Sequence, residues 1–251
     1  MIAWTTAFLD SPADAWDRTL AYWQAVTATT LSPPRGPADE FVTLVPRDGD
    51  PFLRAQRTRS GGPGVHLDLH VPDVRAAADA AVAAGAHEVA ASDHVVLTSP
   101  GGMPFCFVTV SERHRPAPLA WADAEGHGWT SLLDQYAVDV PGEHWAAERR
   151  FWASVTGWPE QPSDPDATLV PLVRPDGRPL RLLLQRLDEP TGTVRAHLDL
   201  ACDDRERETA RHVALGARVE RVRPHWSVLV DPTGRRYCLT DRDPATGRPP
   251  A

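Results

Sequence analysis

The two halves of this chain repeat one another, and that repeat constrains the fold more than any other feature. DAWDRTLAYW at residues 14–23 is echoed by EHWAAERRFW at residues 143–152, so Trp16 matches Trp145 and Trp23 matches Trp152, each pair 129 positions apart. VHLDLHVPD (65–73) is echoed by AHLDLACDD (196–204), and Gly85-Ala86 by Gly216-Ala217, with a His-to-Gly spacing of 19 in both copies. SPGGMPFCFV (99–108) matches DPTGRRYCLT (231–240), which puts Cys106 and Cys238 in register. Gln56 and Gln185 also match at 129 positions. Ordered anchors at a near-constant offset imply duplication. Residues 1–111 form the first domain, 112–128 a Pro- and Gly-bearing linker, 129–243 the second domain and 244–251 a tail.

Local patterns give each copy the same elements. IAWTTAFLD and SLLDQYAVDV are strand candidates. A helix follows each: Trp16, Leu20 and Trp23 lie on one helical face, and Trp145, Arg149 and Trp152 repeat it, with the Arg149 stem able to pack. Ser11-Pro12 reads as the first helix's start, with Ser11 as its cap. FVTLVP with PFLRAQR, and ATLVPLV with LRLLLQR, flank turn signals and read as hairpins. A strand over VHLDLHV leads into an Ala-rich helix that ends at Gly85. VVLTS and FCFVTV close the unit as another hairpin around PGG. Paired short strands joined by tight turns favour an α+β fold with antiparallel hairpins, although helices between strands also allow parallel βαβ units.

Composition excludes several functions. The net charge of -8 gives no support to nucleic-acid binding, which needs basic patches against phosphate. No run of about eighteen apolar residues could span a bilayer. The N-terminus reads as a strand and not as a signal peptide, so a cytoplasmic protein is expected. Three scattered cysteines make neither a disulfide scaffold nor a thiolate zinc cluster. The glycine-rich segments lack the spacing that cradles phosphates, and no cofactor signature is present.

Candidate chemistry falls on a few residues. His66, Asp68 and His70 share one face of a strand by their spacing of two. They could line a pocket, act as base and orienter, ligate a metal, or simply form a hydrogen-bonded polar face. Position 70 becomes Ala201 in the second copy, so only His66/His197 and Asp68/Asp199 recur. His94, His225 and Trp226 precede strands and could supply a second ligand, an acid–base partner, a pocket wall or plain aromatic packing. Cys106 and Cys238 could be soft ligands, nucleophiles or small buried hydrophobes.

Taken together, the helix ending in YW or FW, the HLDL strand with its helix ending in Gly-Ala, and the closing DPTGRRYCL resemble the vicinal oxygen chelate superfamily. That superfamily includes glyoxalases, extradiol dioxygenases and bleomycin-resistance proteins. The resemblance covers almost the whole chain outside the linker. It implies tandem glyoxalase-like domains, each of paired βαβββ modules with curled mixed or antiparallel sheets around a pocket. Metal-dependent members hold a divalent ion with His and Glu. By that resemblance His66 and His197 match a usual His ligand, Cys106 and Cys238 stand where a Glu is usual, and Gln56 and Gln185 are nearest to a third ligand. The first strands carry no His.

With the usual Glu ligands missing, the expectation is a metal-independent small-molecule-binding protein without a cofactor. Its ligand would be apolar or aromatic, held in a concave site. His66 and His197 would be the catalytic candidates. Asp68, Asp199, Gln56, Gln185, His94, His225, Trp226, Cys106 and Cys238 would line the ligand, and His66 and His197 would be the ligands if a metal is used. Two alternatives stay open. One is a lyase, isomerase or oxygenase of the same fold using His66 or His197 as base or metal ligand, and the other is a non-catalytic interaction protein. Monomer and homodimer are both compatible with the sequence.

Overall fold

The alternating and apolar runs become strands, and the Trp-spaced segments become helices. The computed structural model describes residues 1–59, 61–161, 164 and 166–249, so the tail expected at 244–251 ends outside the described residues. The first half runs β1 (Trp4–Pro12), α1 (Trp16–Thr27), β2 (Thr30–Leu31), β3 (Phe41–Val45), β4 (Leu53–Thr58), β5 (Gly64–Val71), α2 (Val74–Ala83), β6 (His87–Ala91), β7 (Val95–Thr98) and β8 (Pro104–Thr109). The second half opens with β9 (Leu119–Ala122), inside the expected linker. It continues through β10 (Gly128–Val140), α3 (Trp145–Thr156), β11 (Leu169–Pro171), β12 (Arg181–Arg186), β13 (Arg195–Cys202), α4 (Arg205–Ala214), β14 (Arg218–Val222), β15 (Trp226–Val230) and β16 (Arg236–Thr240).

Two eight-stranded sheets result. Their hydrogen-bonded orders are β2-β3-β4-β1-β5-β8-β7-β6 and β11-β12-β10-β13-β16-β15-β14, with β9 pairing β10 outside the second path. β5 pairs β8, and β13 pairs β16, in parallel. The hairpins β3–β4, β7–β8, β11–β12 and β15–β16 are antiparallel. The sheets are therefore mixed and built from βαβββ-like modules. The expectation of curled sheets fails, because among the described residues both strand orders are open and neither closes on itself. The reason is visible at the edges. β6 and β14 are exposed along their whole length, and each pairs with its neighbour through an irregular register, at Glu88/Ala90 and at Val219/Arg221. A bulged strand such as RVERV, charged as well, stops further pairing.

The chain packs as two units, each drawing on both repeats. One comprises Met1–Phe8, Val65–His114 and Tyr136–Ala196, and the other comprises Leu9–Gly64, Arg115–Gln135 and His197–Ala251. In the first unit Trp152 of α3 packs edge-on against Phe105 of β8, with ring centroids 5.3 Å apart. Its indole N–H donates to Glu148 at 2.7 Å, and the other oxygen of Glu148 accepts the Gly101 amide at 2.7 Å. In the second unit Trp23 of α1 packs against Tyr237 of β16 at 5.4 Å and donates to Asp231 at 3.0 Å. Matched tryptophans thus meet matched positions of the closing strand, and each indole finds a buried carboxylate.

Helix ends follow local chemistry, with one exception. Asp73 caps α2 through the Ala76 amide, and Asp204 caps α4 through the Arg207 amide. Gly85 and Gly216 follow these helices at φ +109° and +106°, a region that favours glycine. Ser11 does not cap α1, whose N-cap is Ala15 with no side-chain hydrogen bond. Ser11 instead lies in β1, buried, bonded to Thr19 Oγ1 at 2.8 Å. Among the described residues no helix is long and apolar enough to cross a membrane.

Candidate metal centres

The parallel ladders place the site. Their registers set Asp68 of β5 directly beside Cys106 of β8, and Asp199 of β13 beside Cys238 of β16. In-register neighbours share a sheet face, and so do residues two apart on one strand. His66 and His197 therefore join their Asp and Cys partners from two positions upstream. In each unit one His nitrogen, one carboxylate oxygen and one sulfur lie within 4.8 Å of one another: His66, Asp68 and Cys106 in the first, His197, Asp199 and Cys238 in the second. The Asp and Cys of each triad are buried, while each His side chain keeps 12 % of its surface exposed.

The second unit's centre is the tighter. His197 Nε2 lies 3.2 Å from Asp199 Oδ1, against 3.8 Å for His66 Nε2 and Asp68 Oδ1. At this distance His197 and Asp199 form an ion pair whenever the imidazole is protonated. Two donor atoms converging in this way suit a shared cation, which would satisfy both. Asp199 Oδ2 accepts from the Gln135 amide nitrogen, and Gln135 Oε1, on the same amide, is buried without a partner among the described residues. Burial alone would push the Asp199 carboxyl up. The charge of His197, with Arg242 and the Gln135 amide, outweighs it and holds the carboxyl below its ordinary value. Arg242 itself grips Asp134, the neighbour of Gln135, with two bonds of 2.9 and 2.7 Å.

In the first unit, Phe8 stacks on His66 at 4.5 Å and 11°, fixing the ring plane. Thr6, the counterpart of Gln135, bonds His70 Nε2 at 2.9 Å, and His70 Nδ1 lies 3.0 Å from Glu112. His70 is therefore a buried residue held between Thr6 and Glu112, and not part of a solvated face.

These triads overturn the expectation of a metal-independent site. Read along the chain, each domain keeps a single strong ligand. The parallel pairings, which the sequence left open, convert Asp68 and Cys106, or Asp199 and Cys238, into partners of that His. The donors fit a first-row divalent ion by type and proximity. His94 lies elsewhere, exposed and bonded to Asp93 at 2.8 Å, and His225 is an exposed residue 3.9 Å from Asp241. Neither belongs to a triad. Trp226 starts β15 opposite Thr240, Gln56 lies in β4 opposite Phe41, and Gln185 lies in β12 opposite Leu169.

Gln135 and Glu112 escaped the sequence reading. A search of the first strands for His passes over Gln135. Its signal is the DQ pair inside the apolar run LLDQYAVDV, because buried polar side chains need partners. Two cavities lie apart from the triads. A cleft of about 410 Å³ in the first unit is lined by residues including Ile2, Val71, Ala77, Phe107 and Val155, and a cavity of about 30 Å³ in the second is walled by residues including Leu44, Phe52 and Leu133.

No curated protein matches the chain. Solved structures do, at identities that speak to the fold alone. A 2,2',3-trihydroxybiphenyl 1,2-dioxygenase from Sphingomonas wittichii strain RW1 is 17 % identical with a TM-score of 0.62, over 96 % of this chain and 90 % of that one. The Mn(II)-bound glyoxalase from Novosphingobium aromaticivorans is 17 % identical with a TM-score of 0.61, over 99 % and 85 %. A xylose isomerase-like TIM barrel/4-hydroxyphenylpyruvate dioxygenase fusion protein is 14 % identical with a TM-score of 0.60, and the chain spans 48 % of its length while 95 % of this chain is covered. The glyoxalase-like domain family matches residues 6–108 and again 135–240. The chain belongs to that family, as a tandem pair of glyoxalase-like domains within the vicinal oxygen chelate superfamily.

Proposed function

We propose that this protein is a metal-dependent oxygenase acting on a small aromatic molecule at its His–Asp–Cys centres. The convergence of three donor atoms within 4.8 Å, in the same register in both units, carries the reading. Two of the similar structures are named as dioxygenases or a dioxygenase fusion, one of them for a trihydroxybiphenyl, which favours oxygenation and an aromatic substrate. A divalent ion held by His66, Asp68 and Cys106, or by His197, Asp199 and Cys238, would supply Lewis acidity toward substrate oxygens.

The chain's own residues do the rest. The ladder hydrogen bonds fix Asp68 against Cys106 and Asp199 against Cys238, so the donors are preorganised by backbone. Gln135 orients the Asp199 carboxylate through its amide nitrogen. Phe8 holds the His66 ring in one plane and shields one of its faces from water. On this reading a substrate approaches from the side of the imidazoles, which keep 12 % of their side-chain surface exposed.

The test is oxygen uptake by protein loaded anaerobically with iron(II), measured against a panel of dihydroxylated aromatic compounds. Uptake that requires both the metal and one of the aromatics, and that disappears in a His66→Ala/His197→Ala double variant, is the expected result. Metal-loaded protein that consumes no oxygen with any member of the panel would contradict the oxygenase reading.

A further inference from the structure

Both triads contain sulfur, and the position of that sulfur is set by the backbone. We propose that each centre is a thiolate centre, so that one chain takes two borderline-soft divalent ions, of the iron-to-zinc part of the first row, and discriminates against manganese and magnesium. This rests on the metal-centre reading above and adds to it the liganding atom, the stoichiometry and the class of ion.

Four observations carry it. Cys106 and Cys238 are each buried and directly opposite an aspartate across a parallel ladder. The sulfur, a carboxylate oxygen and an imidazole nitrogen share a 4.8 Å neighbourhood in both units. Asp199 Oδ1 is buried there, 3.2 Å from His197 Nε2. The flanking residues of the two closing strands differ, Phe105 and Phe107 against Tyr237 and Leu239, yet the cysteine is common to both.

On binding, each thiol S–H bond breaks, the proton passes to water, and the sulfur electron pair bonds the ion, so no oxidant is needed. Soft thiolate and imidazole donors favour iron, cobalt and zinc, whereas manganese and magnesium suit oxygen donors. The third cysteine supplies a control within the same chain. Cys202 donates its S–H to the Thr240 carbonyl at 3.3 Å, belongs to neither triad, and has a thiol pushed far up by burial.

Cobalt(II) titration of the full chain, stripped with chelator, tests this through sulfur-to-cobalt charge-transfer absorption. The band should saturate at two cobalt ions per chain and survive excess manganese(II). Cys106→Ser and Cys238→Ser should each halve it, the double variant should abolish it, and Cys202→Ser should leave it whole. Cobalt bound without the band would overturn thiolate ligation, and saturation at a single ion would overturn the two-centre stoichiometry. Displacement by manganese would overturn the selectivity. Failure to bind cobalt at all would instead overturn the metal-centre reading beneath it. The titration of the unaltered protein decides these outcomes even if a serine variant does not fold.

Discussion

Gln135 occupies a position that alignment with the first repeat fills with Thr6, and the difference has a measurable consequence. Its amide nitrogen holds Asp199, while Thr6 holds His70. Removing a group that orients a liganding carboxylate weakens metal binding roughly 10–100-fold. Gln135→Ala should therefore lower the affinity of the second unit's centre by about that factor in chelator competition, leaving the first unit's centre unchanged. Equal weakening at both centres would contradict the assignment. Away from the triads, His212 is buried between Glu208 at 3.1 Å and the Tyr237 hydroxyl at 2.8 Å. Burial pushes its imidazole below the ordinary value. Glu208 is also held low, because Arg211 and His212 outweigh its burial. Below a pH of about 6.5 the unfolded chain binds a proton at His212 that the folded chain refuses. Stability should thus fall as pH drops through that value, and fall further as the Glu208 carboxylate is titrated at lower pH. Urea midpoints measured from neutral to mildly acidic pH check the sign, and His212→Gln should flatten the upper part of the decline.

At the scale of the element, the matched helices α1 and α3 carry the same device by different means. Trp152→Phe preserves the ring against Phe105 but removes the donor to Glu148, whose carboxyl burial already pushes up. An unsatisfied buried acceptor costs about 1–3 kcal/mol, and urea unfolding should register that loss. Gly216→Ala would force a side chain into φ +106° with its Cβ 3.3 Å from Pro232, so a loss of at least about 1 kcal/mol is expected. Much of this level was legible in the sequence. The Trp16–Leu20–Trp23 face, the hairpins around β3–β4 and β7–β8, and the glycines ending α2 and α4 all follow from local periodicity and backbone preference. β6 was not, because HEVAA is an exposed edge strand with no buried alternation to betray it. The triads were only half legible. His66 and Asp68 are two residues apart, whereas Cys106 joins them through a ladder register that no local pattern encodes. Glu112 was hidden because a residue in a Pro- and charge-rich stretch gives no sign that it will pair with His70.

Over the whole molecule, the repeat boundary and the packed units do not coincide. Each unit takes segments from both halves of the sequence, including Met1–Phe8 with Val65–His114 in one and Leu9–Gly64 with His197–Ala251 in the other. A fragment of residues 1–111 carries only part of each unit. It should therefore show no cooperative unfolding transition when expressed alone, and a sharp transition comparable to the full chain would contradict that view. The segment between the repeats is ordered as well. β9 pairs β10, Trp121 donates to Ser131 at 2.8 Å with Arg211 over its ring, and Arg115 holds the carbonyls of Pro244 and Ala245. Limited proteolysis should spare residues 112–128, and rapid cleavage there would count against this packing. The central claim, that the repeated His–Asp–Cys triads are metal centres, is tested most directly by elemental mass spectrometry of protein purified without chelator or a metal-binding tag. The expected result is a first-row divalent metal in near-stoichiometric amounts, lost when His66 and His197 are both replaced by alanine. Protein that holds no metal, even after incubation with excess iron(II), cobalt(II) or zinc(II), would contradict it.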